Sequence, residues 1–189
     1  DMGILAGDAL LNYAFETAAL AFEDRTADAA KVGRALGILS RKAGIYGMIG
    51  GQVIDVKETG HEVSEDMLDT IYKLKTSALI ESSMMIGAVL GGAEDADVKA
   101  VERIAGNVGH AFQIQDDILD VTGQEEALGK PVHSDEKNKK TTYVTLCGIS
   151  EAKRIVEEKS REAISGLKAL PGVNEYLEQL LLYLINRER

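Results

Sequence analysis

The sequence has a single cysteine among its 189 residues, which limits both the compartment and the means of stabilisation. One cysteine, Cys147, cannot form an intramolecular disulfide, and a chain without disulfides fits a reducing compartment. We therefore predict a cytoplasmic protein. Because Cys147 lies in an apolar setting, we interpret it as a buried core thiol rather than a reactive one.

Basic residues are also scarce, with 21 Lys and Arg against 31 Asp and Glu, a formal net charge of −10. Nucleic acids require basic surface, so they are disfavoured as partners, and so are anionic membrane surfaces. No membrane span is predicted either. Residues 3–22, the most apolar early stretch, contain Asp8, Asn12 and Glu16, whereas a span needs roughly 20 mostly apolar residues without charges. A phosphorylated substrate remains compatible with this charge if metal ions separate it from the acidic side chains.

The apolar residues recur at helical spacing, and no strict alternation runs long enough to predict a strand. Only two prolines interrupt the pattern. This predicts an all-α protein, a single domain over residues 1–189, built as a bundle of long, mostly antiparallel helices. Ser64 and Ser150 are predicted N-caps, and Gly60 and Gly123 are predicted helix ends. The predicted helices cover residues 5–23, 28–56, 65–90, 95–121, 141–146, 150–170 and 173–186.

Glycines are concentrated in the second predicted helix, at Gly44, Gly47, Gly50 and Gly51. Each costs about 1 kcal/mol relative to alanine in a helix interior. They indicate either close helix packing, including packing across a dimer interface, or room for a ligand beside the helix. We favour packing.

The segment 112–120, Phe-Gln-Ile-Gln-Asp-Asp-Ile-Leu-Asp, points most directly to chemistry. It places Asp116, Asp117 and Asp120 at the end of an apolar helix, where the helix dipole disfavours carboxylates. The first and last of these share a helix face, with Cβ atoms about 5–6 Å apart. Carboxylate oxygens suit Mg²⁺, which typically takes one or two of them together with substrate phosphates and waters. The aspartates are therefore predicted metal ligands, the alternative being a solvated acidic helix end.

Three further polar features are weaker when each is taken alone. Lys75 and Thr76 interrupt an apolar helix, where the lysine either extends to the surface or grips a phosphate. Gln52 and Asp55 share a helix face. Taken alone, they are simply interpreted as an exposed polar pair. The charged loop 129–143 follows the aspartates directly, in the place of a lid, although its composition is also that of a solvated loop.

The order of these pieces resembles the trans-isoprenyl diphosphate synthases, the family of farnesyl and geranylgeranyl diphosphate synthases. The resemblance covers essentially the whole chain, and the ordered set is more specific than any one piece. The matching pieces are Ala-Gly-Asp-x-Leu at 6–10, Gly-Gln-x-x-Asp at 51–55, Lys-Thr at 75–76, Phe-Gln-x-x-Asp-Asp-x-x-Asp at 112–120, and Gly-Lys, Asp and Lys-x-Thr-Tyr within 129–143. The implied fold is the isoprenoid-synthase type of helical bundle.

The resemblance also implies a role for each predicted site residue. The implied Mg²⁺ ligands, which would hold the metal against an allylic diphosphate, are Asp116, Asp117 and Asp120. The lysines implied to grip the same diphosphate are Lys75, Lys130 and Lys140. The implied catalytic residues, which would stabilise an allylic carbocation, are Lys75 through its carbonyl, Thr76 and Gln113. Gln52 and Asp55 are implied to support the metal ligands without binding the metal themselves.

The implied activity is Mg²⁺-dependent condensation of isopentenyl diphosphate with an allylic diphosphate in isoprenoid biosynthesis. We favour a farnesyl over a geranylgeranyl product. The family implies a homodimer packed through helices like the first two. Residues 84–86 and 89 are candidates for a channel wall around the prenyl chain, although core packing is the simpler role. A non-catalytic partner subunit of the same fold is the alternative.

Two departures from the family pattern bear on that activity. His133 stands where the family usually has glycine, and His61 and His110 are assigned no role. The family's first aspartate-rich motif, with the helices before it, has no counterpart in these residues, so the sequence looks like the C-terminal two-thirds of a synthase. We therefore predict that the 189-residue chain has little or no activity by itself.

Overall fold

The computed structural model of the protein describes residues 1–123, 140–172 and 175–185. These residues contain no strand, which confirms the all-α class, and no described helix has the length and apolar character needed to cross a bilayer. A 3-10 turn, Leu20–Phe22, extends the first helix, and a π-helical turn, Lys73–Ser77, joins the fourth to the fifth. The helices are α1 (Met2–Ala19), α2 (Ala29–Ala43), α3 (Met48–Glu58), α4 (Glu65–Tyr72), α5 (Ala78–Leu90), α6 (Asp95–Thr122), α7 (Tyr143–Cys147), α8 (Ile149–Lys168) and α9 (Glu175–Ile185).

The central element of the described bundle is α6, which is 28 residues long and packs against α5, α8 and α9. Its buried apolar side chains recur every three or four residues, the spacing that keeps one helix face in the core. Burying one such side chain contributes roughly 1.5–3 kcal/mol, so this row is a principal source of stability. The row consists of Val98, Val101, Ile104, Val108, Ala111, Ile114 and Ile118.

The second predicted helix was wrong as a single element. The chain is helical up to Ala43 and again from Met48, and a tight turn with Gly44 and Gly47 separates α2 from α3. A Cβ atom at Gly47 would lie 1.9 Å from the carbonyl oxygen of Lys42, so the turn excludes any larger residue. The turn lets α2 pack against α5 while α3 packs against the π-helical turn.

Gly51 provides the closest approach between α3 and the π-helical turn. A Cβ atom there would lie 2.3 Å from the backbone nitrogen of Lys75 and 2.7 Å from the Cβ atom of Leu74. This contact supports the interpretation that Gly51 allows close helix packing. The two elements that pack here belong to the same chain and do not form a dimer interface.

The helix ends agree only in part with the sequence predictions. Ser64 caps α4 as predicted, because its hydroxyl accepts from the amide three residues on. The predicted cap at Ser150 was wrong, since α8 begins one residue earlier, directly after Gly148, whose φ is 82°. Gly60 has the positive φ, 85°, expected after a helix, whereas Gly123 has a φ of −76° and is not left-handed.

Cys147 is exposed, so the prediction of a buried thiol was wrong. The residue ends α7, a helix of only five residues whose buried position is occupied by Tyr143. The Sγ atom of Cys147 lies 3.1 Å from the carbonyl oxygen of Tyr143. The thiol therefore lies at the exposed C-terminal end of this short helix.

Lys42 joins three helices through a partly buried ion cluster. Its ammonium donates to Glu81 of α5, which is 4% exposed, and lies 2.7 Å from Glu102 of α6. Burial alone would lower the pKa of Lys42, but the hydrogen bonds from Lys42 to the two glutamates outweigh it and raise that pKa. The charge of Lys42 is therefore required where α2, α5 and α6 meet.

Candidate active site

Two of the predicted diphosphate-binding lysines are held together by one carboxylate. Oδ2 of Asp55 accepts from Nζ of Lys75 at 2.6 Å and from Nζ of Lys140 at 2.9 Å. Burial opposes ionisation of Asp55, but the hydrogen bonds and charges of the two lysines outweigh it and hold the pKa of Asp55 below its usual value. The trio carries one net positive charge, which suits an anionic ligand. Lys130 and His133 lie outside the described residues.

The π-helical turn positions Lys75 and Thr76. Turns of this kind are rare and occur often at functional sites, because the extra residue in the turn redirects neighbouring side chains. The Thr76 hydroxyl donates to Oε1 of Gln113 at 2.7 Å, which joins two of the three residues predicted to stabilise a carbocation. Gln113 lies on α6, three residues before Asp116, so the same bond brings the turn alongside the aspartate cluster.

The three aspartates differ in their surroundings. Asp116 is half-buried, whereas Asp117 and Asp120 are each only 3% exposed. Oδ2 of Asp117 accepts from the hydroxyl of Tyr72 at 2.5 Å and from the backbone nitrogen of Tyr143 at 3.2 Å. The cluster is therefore an internal feature of the bundle and not the solvated helix end that was the alternative.

The donor chemistry of this cluster fits Mg²⁺. Asp116 and Asp120 lie one helical turn apart on α6 and offer the hard oxygen atoms that this ion prefers. In the part of the chain that the structure describes, no three His, Cys, Asp or Glu side chains converge as a complete metal site. Mg²⁺ usually takes only one or two carboxylates and completes its shell with phosphate and water, so these ligands suffice if a diphosphate supplies others.

An aromatic cluster behind the aspartates was missed from the sequence. The ring centroid of His110 lies 6.1 Å from that of Tyr72 and 5.5 Å from that of Tyr143, and both pairs meet edge to face. The Tyr143 hydroxyl donates to Asp69, which also lies 3.4 Å from Nε2 of His110. Burial and the nearby carboxylate raise the pKa of Tyr143, and burial lowers the pKa of His110. No local spacing signals this cluster, because its rings come from three different helices, α4, α6 and α7.

Gln52 does not join the bonded group. It lies on the same helix as Asp55 but is exposed, whereas Asp55 is half-buried against the two lysines. The supporting role of Gln52 at the metal site therefore stays a prediction.

A cavity of about 730 Å³ lies along α4, α5 and α6, with side chains of both charges in its lining, among them Glu81, Glu102 and Arg103. None of the predicted site residues that the structure describes lines it. Of the candidates for a prenyl-channel wall, Val89 is buried and Met84 packs against the hydrophobic core. The bonded polar groups, and not this cavity, therefore locate the candidate site.

Comparison with known proteins decides the family. Residues 1–177 match the family model of polyprenyl synthetases. The chain belongs to the polyprenyl synthetase family. This confirms the predicted membership of the trans-isoprenyl diphosphate synthases.

The relatives that match this polyprenyl synthetase chain include both farnesyl and geranylgeranyl diphosphate synthases. Farnesyl diphosphate synthase of Geobacillus stearothermophilus is 39% identical over 152 residues, which are 80% of the chain and 51% of that protein. The chloroplastic geranylgeranyl pyrophosphate synthase of Capsicum annuum is 42% identical over 164 residues, 86% of the chain and 44% of that protein. The chain thus spans about half the length of these curated relatives.

The fold is shared with solved structures of the same family. Geranyltransferase from Helicobacter pylori, crystallised with magnesium and isoprenyl diphosphate, superposes with a TM-score of 0.81 at 32% identity. The match covers 97% of the chain and 59% of that structure. Geranylgeranyl pyrophosphate synthetase from Pyrococcus horikoshii has a TM-score of 0.85 at 27% identity, with 99% of the chain and 67% of that structure covered.

Proposed function

We propose that this chain carries the metal and allylic-diphosphate site of a Mg²⁺-dependent trans-prenyltransferase. The reaction joins isopentenyl diphosphate to an allylic diphosphate and releases pyrophosphate. The observation that carries the proposal is the pairing of Lys75 and Lys140 on one oxygen of Asp55, because it concentrates positive charge beside an acidic helix. Membership of the polyprenyl synthetase family supports it.

The lysines would act on the leaving diphosphate. Diphosphate leaves slowly until cations neutralise the charge that develops on it, and preorganised cations do so without reorganisation at the moment of reaction. Lys75 and Lys140 are preorganised by Asp55, and Lys130 is proposed to join them. Asp116 and Asp120 would hold Mg²⁺, which supplies further positive charge to the same group when bound.

Thr76 and Gln113 would face the allylic carbocation. Because Thr76 uses its proton in the bond to Gln113, the remaining lone pairs of the Thr76 oxygen present partial negative charge. Together with the carbonyl oxygen of Lys75, such dipoles stabilise a neighbouring cation without forming a covalent bond to it. This supports assigning Lys75, Thr76 and Gln113 as the catalytic residues.

Calorimetry tests the proposal directly. Titrating the full-length gene product with Mg²⁺ and an allylic diphosphate is expected to give heat, and Lys75→Ala is expected to weaken binding at least about tenfold, since it removes a charge-assisted contact. Lys57→Ala, which removes an exposed lysine from the end of α3, is the matched control. An absence of binding with Asp116 intact would contradict the proposal.

The product is proposed to be farnesyl diphosphate, with geranylgeranyl diphosphate as the alternative. Relatives with both names match at 39% and 42% identity, so chromatography of the products must decide. A partner subunit of the same fold remains the second candidate. A relative that is 37% identical is the large subunit of a heterodimeric geranylgeranyl pyrophosphate synthase from Arabidopsis thaliana, so hetero-oligomers occur among the matching proteins.

The 189 residues assayed alone are proposed to have little turnover. They contain one aspartate-rich motif, whereas the family resemblance implies two, and they match about half the length of the relatives. Turnover by this polypeptide comparable to that of the full-length gene product would contradict the proposal.

A homodimer is proposed from the exposed apolar surface of α1. None of its residues is buried, and Met2, Ile4 and Leu10 are each at least 70% exposed, which is unusual for a surface that stays in water. Sedimentation of the full-length gene product tests this. A dimer is expected, and a monomer would show that the α1 surface is covered in another way. The cytoplasmic location likewise stays a prediction.

A further inference from the structure

The carboxylate of Asp117 is part of an internal hydrogen-bond network. The side chain is 3% exposed, and a buried carboxylate is costly unless donors compensate its charge. Two donors do so at a single oxygen, the hydroxyl of Tyr72 at 2.5 Å and the backbone N–H of Tyr143 at 3.2 Å. Both donors belong to residues that are themselves buried.

The two donors come from the segments that carry the site lysines. Tyr72 is the last residue of α4 and lies three residues before Lys75, which is on the π-helical turn. Tyr143 is the first residue of α7 and lies three residues after Lys140. One carboxylate on α6 therefore contacts both segments close to their lysines.

The position of Asp117 on α6 also connects the two lysine segments to the predicted metal ligands. It follows Asp116 directly and precedes Asp120 by three residues on the same helix. The predicted metal ligands, the π-helical turn and the start of α7 thus meet at one buried side chain.

We propose that Asp117 is a positioning residue and not a metal ligand, because its carboxylate fixes the lysines of two other segments relative to Asp116 and Asp120. This inference rests on the proposed function, since it concerns the same diphosphate site. Displacing a binding group by about 1 Å can cost as much as about a hundredfold in rate, so a fixed spacing matters for catalysis.

Tyr72 belongs to the same hydrogen-bond network as Asp117. Its hydroxyl reaches Asp117 from the residue that precedes the π-helical turn, so Tyr72→Phe removes one hydrogen bond and leaves the ring in place. Loss of this hydroxyl is expected to displace Lys75 and Thr76 without changing any proposed metal ligand.

The test is a double-mutant cycle in the full-length gene product with Asp117→Ala, Tyr72→Phe and both together. Each single variant is expected to raise KM for the allylic diphosphate about tenfold, and the double variant hardly more, because the two groups act through one bond. The Mg²⁺ concentration giving half-maximal rate is expected to stay unchanged in all three. Tyr176→Phe, at a tyrosine that is 76% exposed, is the matched control.

Asp116→Asn separates this inference from the proposed function. If that variant raises the Mg²⁺ requirement and Asp117→Ala raises it equally, Asp117 is a ligand and the positioning role is overturned while the function stands. If Asp116→Asn leaves the Mg²⁺ requirement unchanged, the proposed metal site itself fails. If Asp117→Ala does not fold, Tyr72→Phe still decides, because an unchanged KM in a folded Tyr72→Phe enzyme overturns the positioning role.

Discussion

The hydroxyl of Thr76 donates to Oε1 of Gln113 at 2.7 Å, between residues 37 positions apart in the sequence. The bond connects the π-helical turn to α6 and joins two side chains to which the family resemblance assigns catalytic roles. A hydroxyl that has donated its proton retains an electron-rich oxygen. The pair is therefore both a structural link and a candidate for contact with a carbocation.

Thr76→Val is expected to lower the free energy of unfolding by about 0.5–1.5 kcal/mol, because Gln113 loses its donor while the side-chain shape is kept. The prenyl-transfer rate of the full-length gene product is expected to fall as well. Urea denaturation measures the first effect and product chromatography the second. Thr76→Ser keeps the hydroxyl and is the control, so an equal loss in both variants would show that the hydrogen bond is not the cause.

The helices could be predicted from the sequence wherever one face is continuously apolar. The extent of α6 is the clearest case, because its buried residues repeat at helical spacing throughout. The turn between α2 and α3 could not be predicted in this way. Its glycines fit a helical period, and the break depends on backbone atoms, such as the carbonyl oxygen of Lys42, that crowd Gly47 only in the folded chain.

The candidate site could be predicted residue by residue, but its bonding could not. Asp116, Lys75 and Gln113 each stand in a short motif that sequence alone reveals. The contacts of Tyr72 and Tyr143 with Asp117 join segments separated by 45 and 26 positions, so no local pattern encodes them. Sequence thus indicated residues that the structure brings together, such as Thr76 and Gln113, whereas the contacts of Asp117 are known from the structure alone.

Gly51→Ala is expected to destabilise the protein by about 1–3 kcal/mol, because the added methyl group overpacks the contact with the π-helical turn. Its Cβ atom would lie 2.3 Å from the backbone nitrogen of Lys75, and backbone cannot move aside cheaply. Since the same backbone positions Lys75, affinity for an allylic diphosphate should fall too. Urea denaturation and calorimetry measure the two effects.

Gly33→Ala is the matched control for that substitution. Gly33 is an exposed residue inside α2, and a Cβ atom there would have no heavy atom within 4 Å. Alanine is expected to stabilise the helix by up to about 1 kcal/mol at such a position. Equal effects of the two substitutions would contradict the close-packing explanation.

Lys42→Met is expected to lower the free energy of unfolding by about 3–5 kcal/mol, because it leaves the charge of buried Glu81 without its partner. Thermal and urea denaturation measure the loss. Combining Lys42→Met with Glu81→Gln should restore part of it. Arg34→Met breaks the exposed ion pair with Asp95 and should cost at most about 1 kcal/mol. Equal costs for the two substitutions would show that burial of the Lys42 cluster contributes nothing.

Asp55 is expected to make the stability of the protein depend on acid pH. Its pKa in the folded state lies below the ordinary value of 3.8, because the bonds from Lys75 and Lys140 outweigh the cost of burial. A depressed pKa contributes stability that is fully present above the unfolded-state value and is lost as the pH falls through the folded-state value. Asp55→Asn should therefore be less stable than the wild type at neutral pH, and the difference should vanish below the folded-state pKa. Urea midpoints measured from about pH 7 down to about pH 2 test this, and a difference that stays constant over that range would show that the carboxylate charge is not what holds the lysines.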